Sequence, residues 1–167
     1  NIRGSNFGDV LQGDNGANTI RGLDGNDFII AGNGADLLIG GADNDVVSYE
    51  TATLGVFANL ATGIGANGGV LQEIENLTGS AFGDVLIGND QGNTLRGGGG
   101  NDYLVGATGS DALYGGTDND VFHFEASFGN DFIGDFQDNG DRISLANTVA
   151  TAFGQLTILN NNTTVVT

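Results

Sequence analysis

Ten times along the chain an Asp or Asn is followed two residues later by an aliphatic residue or Phe, and each such triplet closes a nine-residue unit. The units run from Gly4 to Ser48 (GSNFGDVLQ, GDNGANTIR, GLDGNDFII, AGNGADLLI, GGADNDVVS) and again from Gly79 to His123 (GSAFGDVLI, GNDQGNTLR, GGGGNDYLV, GATGSDALY, GGTDNDVFH). With unit positions numbered 1 to 9, position 6 holds Asp9, Asn18, Asp27, Asp36 and Asp45 in the first block. In the second block it holds Asp84, Asn93, Asp102, Asp111 and Asp120. Position 1 is Gly in nine of the ten units, Ala31 being the exception, and position 8 is always apolar. Evenly spaced carboxylates set in glycine-rich turns are suited to binding a hard cation through oxygen. Agreement at three positions in ten consecutive or duplicated units marks a repeat architecture.

Composition narrows the chemistry further. The 167 residues suit one domain or two small ones, and 31 Gly with no Pro leave the turns to glycine. Four Arg, no Lys and 21 carboxylates give a net charge of -17, which argues against nucleic acid, polyanionic glycans and anionic membranes as direct partners. A disordered acidic tail is a poor fit, because 39% of the residues are hydrophobic and they recur periodically. With no Cys, disulfides and thiolate metal sites are excluded, and carboxylate and carbonyl oxygens remain as ligands. No apolar run approaches the roughly 20 residues of a membrane span, and no N-terminal targeting signal is visible. Since the first residue is Asn1 rather than Met, the chain is expected to be a piece of a longer protein.

The elements that position the carboxylates follow from the same unit. Small residues at positions 1 to 5 predict a tight turn, and positions 7 to 9 predict a very short strand. Strand alternation turns position 8 inward and positions 7 and 9 outward. The interior is therefore expected to contain Leu11, Ile20, Ile29, Leu38, Val47, Leu86, Leu95, Leu104, Leu113 and Phe122. One turn and one strand per unit make an 18-residue coil of two units, so the predicted fold is all-β: a parallel β-roll, or β-solenoid, with unit n stacked on unit n+2. Stacking then brings together Asp9 with Asp27, Asp27 with Asp45, Asn18 with Asp36, Asp84 with Asp102, Asp102 with Asp120, and Asn93 with Asp111. Such close carboxylates repel unless a divalent cation lies between them. Oxygen-only ligation from flexible backbone favours Ca²⁺ over Mg²⁺, at about six inter-turn sites. Asp24, Asp90, Asp43 and Asp118 are further candidate ligands from the same turns, while the neutral amides of Asn18 and Asn93 should weaken the middle site of each block. Ten inward side chains are a thin core for 90 ordered repeat residues, so folding is expected to depend on calcium.

These units resemble the GGxGxDxUx nonapeptides of the RTX (repeats-in-toxin), or hemolysin-type, calcium-binding family. The resemblance implies a parallel β-roll with Ca²⁺ held between successive turns by position 6 carboxylates and turn carbonyls. It also implies bacterial type I secretion, with the chain unfolded in the low-calcium cytosol and folded outside the cell. Asn18, Asn93, Asn6, Ala31, Ala42 and Ala81 depart from the family pattern.

The whole chain, 1–167, reads as one elongated module: a nonapeptide block at 4–48, a β linker at 49–78, a second block at 79–123 and a truncated β cap at 124–167. In the linker, Gly55 to Leu60 alternates with Val56, Ala58 and Leu60 on one face, and LQEIENLTG is a second apolar piece. Linker strands are expected to continue or cover the roll. The segment FGNDFIGDFQDNGDRISL resembles one that follows many RTX blocks, and Asp131, Asp135, Asp138 and Asp141 are read there as a group able to bind one more Ca²⁺. Odd units carry outward Val10, Phe28, Ile30, Val46, Val85, Ile87, Tyr103, Val105 and Val121, which predicts one more apolar sheet face, covered by the linker or the cap. Arg21 and Arg96 match across the 75-residue offset of the blocks.

Other motifs carry less. Gly63, Gly65 and Gly68 spell G-x-G-x-x-G, yet no βαβ pattern surrounds them. His123 has no second imidazole to form a zinc site, and no Ser is framed as a nucleophile elbow. The reading is a non-catalytic extracellular calcium-binding module that supports secretion and stability of a larger exported protein. An accessory polysaccharide-binding module of a secreted protease, lipase or alginate epimerase, or an adhesin repeat, is the alternative. Expected partners are calcium ions, the rest of the parent protein and an extracellular polymer, with no nucleic acid and no membrane span.

Overall fold

A computed structural model describes residues 1–125, 127–137, 139–146 and 156–160. A nine-residue unit that spends six residues on its turn has room for one short strand, and each unit forms one. Strands β1 (Ile2–Arg3), β2 (Val10–Gln12), β3 (Thr19–Asp24), β4 (Phe28–Ile30), β5 (Leu37–Ala42) and β6 (Val46–Ser48) come from the N-terminal part. The linker adds β7 (Phe57–Asn59), β8 (Val70–Gln72) and β9 (Asn76–Thr78). The second block gives β10 (Val85–Ile87), β11 (Thr94–Gly98), β12 (Tyr103–Val105), β13 (Ala112–Gly116) and β14 (Val121–Phe124). Strands β15 (Asp131–Phe136), β16 (Arg142–Leu145) and β17 (Leu156–Asn160) follow.

Every ladder between these strands is parallel. One sheet has eight strands in the order β17-β15-β13-β11-β9-β6-β4-β2. Opposite it lie β1-β3-β5-β8 and β16-β14-β12-β10-β7. Ile64 joins these two through antiparallel bridges to Asn59 and Val70. The register is that of an 18-residue coil: Leu11 pairs with Ile29, Ile29 with Val47, and Ile20 with Leu38. All ten position 8 side chains are buried between the sheets, as the alternation predicts. Among the described residues no helix is long and apolar enough to cross a membrane.

The linker continues the roll and does not cover it. Val56 and Ala58 are buried, Leu60 is half-buried, and Leu71, Ile74 and Leu77 extend the core. Tyr49, 2% exposed, anchors the segment by accepting the Ala66 amide on its hydroxyl at 3.3 Å. Because β7 and β8 are consecutive strands of the same side, the linker shifts the alternation by one. Odd units of the first block (β2, β4, β6) therefore share the eight-stranded sheet with even units of the second (β11, β13).

This corrects the expectation of a single apolar outer face. The apolar outward residues of the odd units are divided between opposite sheets, and so are Arg21 and Arg96. The physical cause is a reversal between β7 and β8, where Gly63, Asn67 and Gly68 adopt left-handed φ of 69°, 55° and 82°. After the second block the chain also adds strands to both sheets, β15 and β17 to one and β16 to the other. Of the polar C-terminal tail, residues 161–167 lie outside the described residues.

Candidate metal centres between the turns

Stacking places the position 6 residues in two columns along the roll, and hydrogen bonds show how each rung meets the next. The amide of each position 6 residue donates to Oδ1 of the one a coil later: Asp9 to Asp27, Asn18 to Asp36, Asp27 to Asp45, Asp84 to Asp102 and Asn93 to Asp111, all at 2.8 Å, and Asp102 to Asp120 at 2.9 Å. All six pairs expected from n-to-n+2 stacking are therefore adjacent. The linkage was not legible beforehand: one carboxylate oxygen is taken by the backbone of the turn below.

The other oxygen divides the turns into two classes. In four units the position 6 side chain closes its own turn by accepting the position 2 amide, on Oδ2 of Asp9 from Ser5 at 2.6 Å and of Asp84 from Ser80 at 2.5 Å, and on the single side-chain oxygen of Asn18 from Asp14 and of Asn93 from Asn89, both at 2.7 Å. In the remaining six units positions 2 and 4 are both left-handed, as at Leu23 and Gly25 (φ 98° and 102°) or Ala107 and Gly109 (φ 74° and 132°). There the position 2 amide no longer reaches the carboxylate. Oδ2 of Asp27, Asp45, Asp102, Asp111 and Asp120 is buried with no hydrogen-bond partner. Asp36 is the sixth, and its unit opens with Ala31 in place of Gly.

A buried carboxylate oxygen without a partner is costly, and the cost registers in acidity. Burial pushes Asp102 up to about 7, and Asp45, Asp111 and Asp120 up to about 6. Repulsion adds to burial where neighbours stack, Asp27 acting on Asp45 and both Asp84 and Asp120 on Asp102. Burial likewise raises Asp36 and Asp84.

Position 1 glycines keep the space beside these oxygens open. A Cβ at Gly22 would lie on Asp27 Oδ2 and 2.6 Å from the Gly40 carbonyl oxygen; one at Gly97 would lie on Asp102 Oδ2 and 2.5 Å from the Gly115 carbonyl oxygen. Each gap thus pairs an unsatisfied carboxylate oxygen with a carbonyl of the next turn. Among the described residues no three acidic or imidazole side chains converge, so a cation in these gaps would take many of its ligands from the backbone. The donor set is all oxygen, which fits Ca²⁺.

The other candidate ligands are exposed, whereas most of the column residues are buried. Asp43 and Asp118 are exposed and accept the amides of Gly25 and Gly100 at 3.2 and 3.1 Å. Asp24 and Asp90 are exposed on their turns.

Glu75 was missed by sequence reasoning: its Oε2 accepts the Asp45 amide at 2.8 Å, and its carbonyl accepts the Asn93 side-chain amide at 2.8 Å. It carries the first column through the linker. A second ladder, also unforeseen, links position 5, where the amides of Asn44 and Asn119 donate to the side chains of Asn26 and Asn101 at 3.0 Å.

Of the four carboxylates expected to group in the cap, the three described ones take different partners. Asp131 joins the first column by accepting the Asp111 amide at 2.9 Å, and Asp141 joins the second by accepting the Asp120 amide at 3.0 Å. Asp135 accepts the amides of Gly115 and Gly116 instead, and Asp138 lies outside the described residues. The repeat continues there out of phase, so Asp131 and Asp141 fall on different turns.

The sequence pattern of the RTX calcium-binding nonapeptide repeat (4 copies) matches residues 3–38, 12–47, 78–113, 87–122 and 97–133, together more than half of the chain. The chain belongs to the RTX calcium-binding repeat family. Its nonapeptides are calcium-binding repeats, and Ca²⁺ is the cation that this RTX fold serves. The last matched stretch runs past the tenth nonapeptide to Ile133, in keeping with the extra rung at Asp131. A search of curated proteins finds no significant match.

Proposed function

We propose that this chain is a non-catalytic, extracellular calcium-binding module in which Ca²⁺ fills the gaps between stacked turns and so completes folding. The ligands would come from Asp9 and Asp27, Asp27 and Asp45, Asn18 and Asp36, Asp84 and Asp102, Asn93 and Asp111, and Asp102 and Asp120, with turn carbonyls such as those of Gly40 and Gly115. Calcium would supply the positive charge and the oxygen partner that the buried Oδ2 atoms lack. Those unpartnered oxygens, five in the repeats, carry the reading.

The module would act as one elongated unit over 1–167, since the first column runs unbroken through Glu75 from one block to the other. RTX repeats are typical of secreted bacterial proteins. A chain whose buried carboxylates repel stays open where calcium is scarce and closes where it is abundant, which would keep the protein exportable and stabilise it after release. The parent protein would supply the activity, with this module as its folding support.

Circular dichroism with chelator and with rising calcium tests the proposal. A largely disordered chain should become rich in β-structure as Ca²⁺ approaches about 1 mM. Native-like strand content in chelator at mildly alkaline pH, where the buried carboxylates are ionised, would overturn the coupling of folding to metal.

A further inference from the structure

Arg3 and Arg21 are partners in register on the paired strands β1 and β3, and both are exposed. The Gly4 amide donates to the Arg21 carbonyl at 2.8 Å and holds the two rungs together, at the strand spacing of about 4.8 Å. Like charges directly opposite on adjacent strands repel. Among the described residues neither guanidinium has a hydrogen bond or an ion pair. Two of the four Arg in a chain of net charge -17 are thus set side by side with no counter-charge in contact. Both line an open groove of about 520 Å³, together with buried Ile39 and a further hydrogen-bond donor, the side-chain amide of Asn6.

The internal duplication supplies a control. At the 75-residue offset, Arg3, Asn6, Arg21 and Ile39 correspond to Thr78, Ala81, Arg96 and Tyr114. There a single Arg stands in the ladder between Thr78 and Tyr114, and its guanidinium lies 4.2 Å from the centre of the Tyr114 ring. The second block satisfies its one Arg with an aromatic face. The first block has Ile39 in place of the ring and two more donors, Arg3 and Asn6, so its cationic charge is left to a ligand.

We propose that Arg3, Arg21 and Asn6 bind a doubly charged tetrahedral oxyanion of the phosphate or sulfate kind, on the outer face of β1 and β3. Each guanidinium presents a planar fork of N–H donors, and two forks with an amide offer more donors than the two oxygens of a carboxylate can use. Two adjacent positive charges match the two negative charges of the anion. Exposed Asp24 and Glu73 line the same groove and repel any second charged group beside the first. The groove therefore suits one small anion and turns away the extended polyanions that the net charge also disfavours.

The test is nitrogen-15 NMR of the four arginine Nε–H groups, on the full chain in saturating calcium. Sodium sulfate and methyl phosphate are titrated against sodium chloride at matched ionic strength. The Arg3 and Arg21 signals should move saturably with sulfate. Arg96, on its ring, and Arg142, in a groove with Asp120 and Asp141, should stay in place. Sodium acetate should bind roughly tenfold more weakly. Arg3→Gln and Arg21→Gln, both at exposed positions, should keep wild-type strand content and should each weaken sulfate binding by roughly tenfold or more. Methyl phosphate binding as tightly as sulfate assigns the site to a phosphate ester, and sulfate binding alone assigns it to the free ion. Equal movement of all four signals, no saturable movement, acetate as tight as sulfate, or unchanged sulfate binding in the two variants overturns the proposal.

Discussion

The amide of Asp102 donates to Oδ1 of Asp120 at 2.9 Å, and Oδ2 of Asp120, on a residue 0% exposed, has no partner. The two oxygens of one carboxylate therefore serve different masters. Oδ1 fixes the register of the turn below by a hydrogen bond that an Asn could also accept, whereas Oδ2 is useful only to a cation. This division explains why Asn18 and Asn93 are tolerated where they stand. Both lie in closed turns, where the side-chain oxygen takes the position 2 amide and no full charge has to be buried.

Proton competition follows from the raised acidities. Asp45, Asp111 and Asp120 titrate at about 6 in the folded chain, and Asp102 at about 7, against 3.8 for a free Asp. Their folded values exceed their unfolded ones, so the metal-free folded state holds more protons than the unfolded chain across that window. The stability this contributes is fully present below the unfolded value and is lost as pH rises through 6 to 7. Circular dichroism in chelator should show strand content appearing as pH is lowered from about 8 to about 4. Calcium should add less stability at the acidic end, where protons already neutralise the sites. Loss of strand content on acidification through that window would contradict the assignment of these groups.

Filling the cradle with a methyl group should weaken binding selectively. In Gly22→Ala the new Cβ meets Asp27 Oδ2 and sits 2.6 Å from the Gly40 carbonyl oxygen. The calcium midpoint of folding should rise by roughly tenfold, about 1.4 kcal/mol. Gly99→Ala is the matched control, because its nearest neighbour would be Thr117 Oγ1 at 3.4 Å and its φ is not left-handed. Equal midpoints for the two variants would show that the space beside Asp27 is not a ligand site.

Most of the roll was legible because a strict period makes inward direction and stacking follow from counting. Leu11 to Phe122 are buried where the alternation of a three-residue strand puts them. What the period could not convey lies where it breaks. The parity shift depends on left-handed Gly63, Asn67 and Gly68, a chain reversal with no repeat to advertise it. Glu75 was hidden because its unit begins with Val70 and carries Glu rather than Asp at position 6. Asp131 was seen as an acidic residue of a cap, and only its triplet with Phe132 and Ile133 betrayed a displaced unit. The choice between closed and open turns depends on backbone conformation at position 2. Leu23 and Ala107, neither glycine, adopt φ of 98° and 74° there, which no residue-type rule anticipates.

The core is thin enough that one interior residue should be felt by the whole roll. Leu104 is fully buried, and Leu104→Ala should cost about 2 to 5 kcal/mol, raising the calcium needed for half-folding. Val10→Ala, at a side chain 74% exposed, should shift stability by at most about 0.5 kcal/mol. The comparison is read from calcium titrations followed by circular dichroism. A negligible effect of Leu104→Ala would mean that metal binding alone, without the apolar column, holds the roll.

Interior and terminal rungs should differ in what their loss removes. Asp27 touches both neighbours: its Oδ1 accepts the Asp9 amide at 2.8 Å, its own amide donates to Asp45 at 2.8 Å, and its Oδ2 is left for a cation below Gly40. Asp9 stands at the start of its column, and its Oδ2 already accepts both the amide and the hydroxyl of Ser5, at 2.6 and 3.0 Å. Asp27→Ala removes a ligand from two gaps and the acceptor of the Asp9 amide, whereas Asp9→Ala removes one ligand that has a substitute partner. Calorimetric titration should therefore find a larger fall in calcium stoichiometry for Asp27→Ala than for Asp9→Ala. Equal losses would mean that each carboxylate serves its own turn alone, and the pairing of unit n with unit n+2 through metal would have to be abandoned.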